Sequence, residues 1–260
     1  NTSTGLTEDV IELQQIGLGT RFSKGGEYLA VTTQTELKLF LTKGWKQAWS
    51  TDILTYDIGT QAGVRPDFDP SGNLVACGHD RTPVIYGVRS GDVHCRLRSH
   101  DGTVTDCSFV RDGRALITVG GTLICLHDVA KGTTLASRRI PGAILSLGLN
   151  RSRTKFCVSS SQNVVHLFEP ANPDEPVARL QHSSAPYCMV FSNDDSRLFV
   201  GWHDGTIWVW DLTKYEPVAS LRGHADYVHA IDVDSSDILF SCSGDFTLRK
   251  WERQNPRTGV

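Results

Sequence analysis

Nothing in this sequence approaches the ~18 consecutive apolar residues of a membrane-spanning helix, and the polar opening Asn1-Thr2-Ser3-Thr4 lacks both the basic and the apolar region of a secretory signal. Those absences argue against a membrane protein and against an intact secretory precursor. The missing initiator Met points to a processed or excised first residue. Neither sign of charge is in excess: 26 Lys and Arg face 29 Asp and Glu, a formal charge of −3, which argues against wrapping nucleic acid as the main task. The seven cysteines, at 77, 95, 107, 125, 157, 188 and 242, form no Cys-x-x-Cys pair and show no His spacing of a zinc knuckle, so no metal is expected. Cys107, Cys125, Cys157 and Cys242 sit inside apolar runs, where a free thiol behaves as a small hydrophobe. A reducing compartment, cytosol or nucleus, is therefore expected.

Catalytic signatures are missing as well. There is no Gly-x-Ser-x-Gly elbow, no His-Glu-x-x-His and no Gly-x-x-x-x-Gly-Lys loop. Gly120-Gly121 follows a strand-like run but leads into another strand, not into a helix N-terminus, which makes it a poor phosphate cradle. The sequence is expected to be non-enzymatic, without cofactor or small-molecule substrate. No window sustains helical spacing with caps. Instead, short β-branched and aromatic runs recur between turns supplied by 24 glycines and 10 prolines, an all-β pattern, and 39% apolar residues suffice for a large core.

Those runs repeat. The last unit reads Gly223-His224, a strand from Tyr227 to Val233, a strand from Ile238 to Cys242, Gly244-Asp245 and a strand from Phe246 to Glu252. The unit before it carries His182, Asp204-Gly205 and Trp208-Val209-Trp210-Asp211 in the same order. The position of the final Trp falls at 40, 86, 127, 168, 210 and 251, intervals of 46, 41, 41, 42 and 41 residues. On these motifs the sequence resembles the WD-repeat β-propeller family, whose blades are ~40–45-residue units of four short strands. The resemblance covers about residues 16–252, with repeats at about 16–49, 62–98, 99–139, 140–181, 182–222 and 223–252.

The resemblance implies several things. In the last unit His224, Ser241, Asp245 and Trp251 match the family's hydrogen-bonded tetrad. The fifth unit keeps His182, Asp204 and Trp210 but has Val200 at the hydroxyl position, so its network should be incomplete, and the third has Gly121 for Asp and His127 for Trp. Residues 8–14, with the strand-like Val10-Ile11-Glu12-Leu13, are a candidate fourth strand for the last blade, in the family's manner of closing the ring. A closed six-bladed ring and an incomplete seven-bladed one both remain open, with the length per repeat favouring six.

Function then falls to the loops on the disk's two faces. On the top face, Trp202, His203 and Phe246 flank the Asp turns of units five and six, and Tyr187 and Tyr227 start the adjacent inner strands, which makes these aromatic groups candidate protein-binding anchors. On the bottom, Arg111, Arg114, Arg151, Arg153 and Lys155 form a candidate basic edge, while the turns of units five and six are acidic. Residues 89–155 hold 11 basic and 5 acidic groups, and residues 169–245 hold 4 and 13, so the near-zero net charge hides a polarised disk. Trp45 and Trp49 are expected on one face of the first unit's outer strand, with a lateral docking loop at 51–61. The leading expectation is a protein-interaction scaffold in an intracellular multiprotein assembly. A ribonucleoprotein component touching RNA through the basic edge is the second. A ubiquitin-ligase substrate receptor is the third, disfavoured because Trp210-Asp211-Leu212-Thr213 and Trp251-Glu252-Arg253-Gln254 both depart from the Trp-Asp-x-Arg of such receptors.

Overall fold

Middle strands of this chain are almost continuous apolar runs, and outer strands alternate, which is the pattern of sheets stacked face to face with one edge in solvent. The computed structural model, which describes residues 10–53, 65–98 and 100–252, bears this out. Six antiparallel sheets follow one another in chain order. The first comprises β1 (Gly17–Phe22), β2 (Tyr28–Thr33), β3 (Glu36–Leu41) and β4 (Lys46–Asp52). The second comprises β5 (Asp67–Phe68), β6 (Leu74–His79), β7 (Thr82–Gly87) and β8 (Val93–Arg96). The third comprises β9 (Val104–Val110), β10 (Ala115–Gly120), β11 (Leu123–Asp128) and β12 (Thr133–Arg139). The fourth comprises β13 (Ile144–Leu149), β14 (Phe156–Ser160), β15 (Val164–Phe168) and β16 (Ala178–Gln181). The fifth comprises β17 (Pro186–Phe191), β18 (Arg197–Trp202), β19 (Ile207–Asp211) and β20 (Glu216–Leu221). The sixth has three strands, β21 (Val228–Val233), β22 (Leu239–Ser243) and β23 (Leu248–Trp251).

Each sheet is a blade, and the core lies between blades. β10 is buried at every residue, whereas β12 alternates exposed and half-buried. Five apolar clusters fill the five seams from blade one to blade six. Leu39 and Tyr86 share the first cluster, Ile85 and Phe109 the second, Ile117 and Val158 the third, Leu167 and Trp210 the fourth, and Val209 and Val228 the fifth. Inner strands approach so closely that two glycines are obligatory. A Cβ on Gly78 would lie 2.8 Å from Val104, and one on Gly201 would lie 2.6 Å from Cys188 Sγ and 2.8 Å from Val228.

Two expectations change here. Among the described residues no cluster seals blade six to blade one, and Phe22 on the innermost strand of blade one is 56% exposed. Among the described residues Val10–Leu13 forms no strand and β23 has no outer neighbour, so the described part of the closing strand expected at 8–14 is not paired there, residues 8 and 9 lying outside the described part. The segment is tied instead to the first blade, where Gln15 Oε1 accepts from Thr33 Oγ1 at 2.7 Å and from Thr35 Oγ1 at 2.9 Å. Trp45 sits in the turn before β4 with φ +47°, so only Trp49 is on the outer strand. There its indole N–H donates to Val88 O of the next blade at 2.7 Å. Of the lateral loop expected at 51–61, residues 54–61 lie outside the described part.

Candidate interaction site

The last blade assembles the expected tetrad. His224 Nδ1 is 2.9 Å from Asp245 Oδ2, its Nε2 is 2.8 Å from Ser241 Oγ, and the Trp251 indole N–H donates to the same Ser241 Oγ at 2.8 Å. Burial raises the pKa of Asp245, but hydrogen bonds from Thr247, from the Ala225 N–H and from His224 outweigh it and hold the carboxyl well below its ordinary range. An ionised Asp245 fixes the proton on His224 Nδ1, which leaves Nε2 to accept from Ser241, and the chain runs in one direction from Trp251 to Asp245.

Blade five does not assemble one. With Val200 in the hydroxyl position, the Trp210 indole N–H is buried with no partner among the described residues, and Asp204 stays 3.9 Å from His182. The His182 ring instead stacks on Trp202 at 4.5 Å, and Trp202 is fully buried. This corrects the assignment of Trp202 to the docking face: its indole lies in the core between blades four and five, stacked under the His182 ring.

Blade three builds its own variant. Thr118 Oγ1 lies 2.7 Å from His100 Nε2 and 2.9 Å from His127 Nε2, so His127 contacts the hydroxyl as Trp251 does in blade six. Burial pushes both rings down to a pKa of about 4 and keeps them neutral. Asp101 from the opposite loop takes over the turn contacts that an acid at 121 would make, without bonding either histidine ring. Asp101 accepts from Thr122 N at 3.1 Å and Thr122 Oγ1 at 2.7 Å, and it also pairs with Arg139. Its carboxylate occupies the space over Gly121, where a Cβ would collide with it. Spacing could not reveal this exchange, because Asp101 reads as an ordinary loop residue.

The top of blades five and six carries an aromatic group. The β17–β18 register shifts between Pro186 and Cys188, at Tyr187, and the β21–β22 register shifts in the same way between Val228 and Ala230, at His229. Bulges re-aim side chains. Tyr187 lies 5.3 Å from Tyr227 and 5.7 Å from His229, and His203 stacks on Tyr227 at 5.8 Å. The turn after β22 is tied to Tyr227 through Gly244 N, which donates to Tyr227 O at 3.1 Å, and two residues on Phe246 is 100% exposed at φ +63°, a left-handed conformation that explains the Gly common in this turn. His229 was missed from the sequence because a bulge is not visible in a strand's residue pattern.

The bottom turns are spent on one another. Arg151 N and Ser152 N donate to Asp195 at 2.8 and 3.1 Å, and Asn193 N donates to Asp237 at 2.7 Å, which links blades four, five and six. Of the basic edge, Arg151 bonds Asn193, Arg153 bonds Phe109 O and reaches Asp67 at 3.4 Å, Lys155 pairs with Glu169 at 3.3 Å, and Arg111 donates to Pro170 O at 2.5 Å. Arg114 remains exposed, its Nε donating to Arg111 O at 3.2 Å. The expected basic edge is thus largely an internal network. Behind it the central channel holds Asp106, which burial raises to a pKa of about 7 although Arg65 opposes the shift.

The family model "WD domain, G-beta repeat" matches residues 174–211 and 215–252. "WD repeat-containing protein 1" of Xenopus tropicalis is 28% identical over 193 residues, 70% of this chain and 32% of that protein. The "Guanine nucleotide-binding protein subunit beta" of Dictyostelium discoideum is 27% identical over 238 residues, covering 71% of this chain and 68% of the relative. The "p21-activated protein kinase-interacting protein 1-like" of Danio rerio is 31% identical over 108 residues, 41% of this chain and 29% of the relative. The chain spans about a third of the length of the Xenopus relative. With two repeats matched outright and six blades in one order, the chain carries WD repeats and has the architecture of a six-bladed WD40 β-propeller.

Proposed function

We propose that this chain is a non-enzymatic scaffold in an intracellular multiprotein assembly and that it docks protein partners through the top of blades five and six. The observation that carries the reading is Phe246, fully exposed on a left-handed backbone in the turn whose Gly244 N donates to Tyr227 O, Tyr227 being grouped with Tyr187, His203 and His229. An aromatic side chain left wholly in water, in a conformation that suits glycine, costs stability, and such costs concentrate at binding surfaces. Two relatives carry names of assembly members, a guanine nucleotide-binding protein subunit and a kinase-interacting protein. The seven unpaired thiols fit a cytoplasmic or nuclear location.

Phe246→Gly separates docking from folding, because it removes the ring and relieves the backbone at once. The variant should keep or gain melting temperature and lose most partner capture, since truncating an anchor costs at least about 2 kcal/mol of binding. Arg114→Glu should leave capture intact. Retention of every partner by folded Phe246→Gly together with Tyr227→Ala would refute the docking face.

A further inference from the structure

Two positions of the third strand distinguish blade three from its neighbours. Blade six has Arg249 and Trp251 there, blade five Trp208 and Trp210, blade four His166 and Phe168, whereas blade three has Cys125 and His127. Two residues apart on one strand, their side chains share a face. Cys125 is paired in register with Thr118, whose hydroxyl sits between His127 and His100. The ligand atoms of His100, Cys125 and His127 consequently all lie within 4.8 Å of one another, in residues no more than 5% exposed.

We propose that blade three holds a zinc-class divalent metal ion, bound by His100, Cys125 and His127. Two imidazole nitrogens and a thiolate select zinc-type ions over magnesium or calcium, which take oxygen ligands. Zn–N near 2.0 Å and Zn–S near 2.3 Å place tetrahedral donors roughly 3.3–3.7 Å apart. Binding therefore draws the three groups together by about 1 Å, with Thr118 Oγ1 or a water in the fourth position. The Cys125 thiol gives its proton to solvent as the Zn–S bond forms, and no electron is transferred. Neither ring is held by a carboxylate as His224 is by Asp245: His127 Nδ1 meets Thr134 Oγ1 at 3.3 Å, and His100 Nδ1 has no partner among the described residues. Blade three thus lacks the acid-anchored chain of blade six, and the ion would serve as its clip. A search for Cys and His at knuckle spacing passes over this set, because His100 comes from the loop before β9 and the other two from β11.

Because the site is buried, the full chain is refolded with and without zinc chloride, desalted and assayed for bound metal. A cobalt-refolded sample is read for tetrahedral d–d absorption and thiolate-to-metal charge transfer. The parent should retain stoichiometric zinc, melt at a higher temperature than the metal-free chain and show both cobalt features. His127→Trp, which restores the residue of blades five and six, and the near-isosteric Cys125→Val should fold without retaining the ion, and their melting temperatures should not respond to zinc. Should His127→Trp fail to fold, Cys125→Val carries the test alone. Parent protein that retains no more zinc than Cys125→Val, or Cys125→Val with an unchanged cobalt spectrum, overturns the assignment.

Discussion

Ser241→Ala removes a single oxygen that two other groups depend on. Ser241 is 1% exposed, and its Oγ accepts from the Trp251 indole N–H and meets His224 Nε2, each at 2.8 Å. Stranding a buried polar group costs roughly 1–3 kcal/mol. His224 is buried and bears its full share, while Trp251 is half-buried on an edge strand and recovers some hydration, so the total should be about 2–4 kcal/mol. At about 2–4 °C per kcal/mol for a chain of this size, the melting temperature should fall by roughly 5–15 °C. Among the described residues blade six packs on blade five, through β17 and β18 against β21, and on no second blade, so the loss should appear first as faster amide exchange in β21 to β23. Thr118 holds the equivalent place in blade three, and Ser241→Thr should therefore recover most of the stability. Thermal melts with exchange mass spectrometry read the outcome. A Ser241→Ala melting temperature within 1–2 °C of the parent, a loss below about 1 kcal/mol, would refute the load assigned to the tetrad.

Three further outcomes follow from the geometry. Asp106, raised to about 7 against 3.8 when unfolded, keeps a proton in the folded state that the unfolded chain gives up, so it erodes stability as pH rises from about 4 to 7. Asp106→Asn should match the parent near pH 4 and exceed it by up to a few kcal/mol at pH 8 in urea titrations, and an equal difference at both pH values would count against the buried charge. Gly121→Ala, at φ +58° and with a Cβ driven into the Asp101 carboxylate, should cost about 1–3 kcal/mol, and combining it with Asp101→Ala should be less than additive in a double-mutant cycle. Trp202→Ala should act on folding, losing about 3–5 kcal/mol in a denaturant melt, with capture by any folded fraction unchanged.

Much of this protein is local, and what is local could be read directly. A blade is a meander of strands joined by short turns, so the spacing of Phe40, Tyr86, His127, Phe168, Trp210 and Trp251 determined six sheets in chain order. The Gly223-His224 and Gly244-Asp245 pairs, with Ser241 and Trp251, likewise determined the blade-six tetrad, because each member sits at a fixed offset within one unit. Val200 even marked where the network would break. Contacts between elements were decided elsewhere. Whether Trp202 faces solvent depends on the ring of His182, whether the Asp101 carboxylate can stand in for an acid at 121 depends on the room left over a glycine, and whether His229 joins Tyr187 depends on bulges one blade apart. Arg111, Arg151 and Arg153 read as part of a free basic edge because their partners lie 42 to 86 residues away. Closure is the extreme case, since a seam between the last blade and the first pairs residues more than 200 apart. Residue periodicity sets what each blade is, and only packing between blades decides which side chains remain for a partner or an ion.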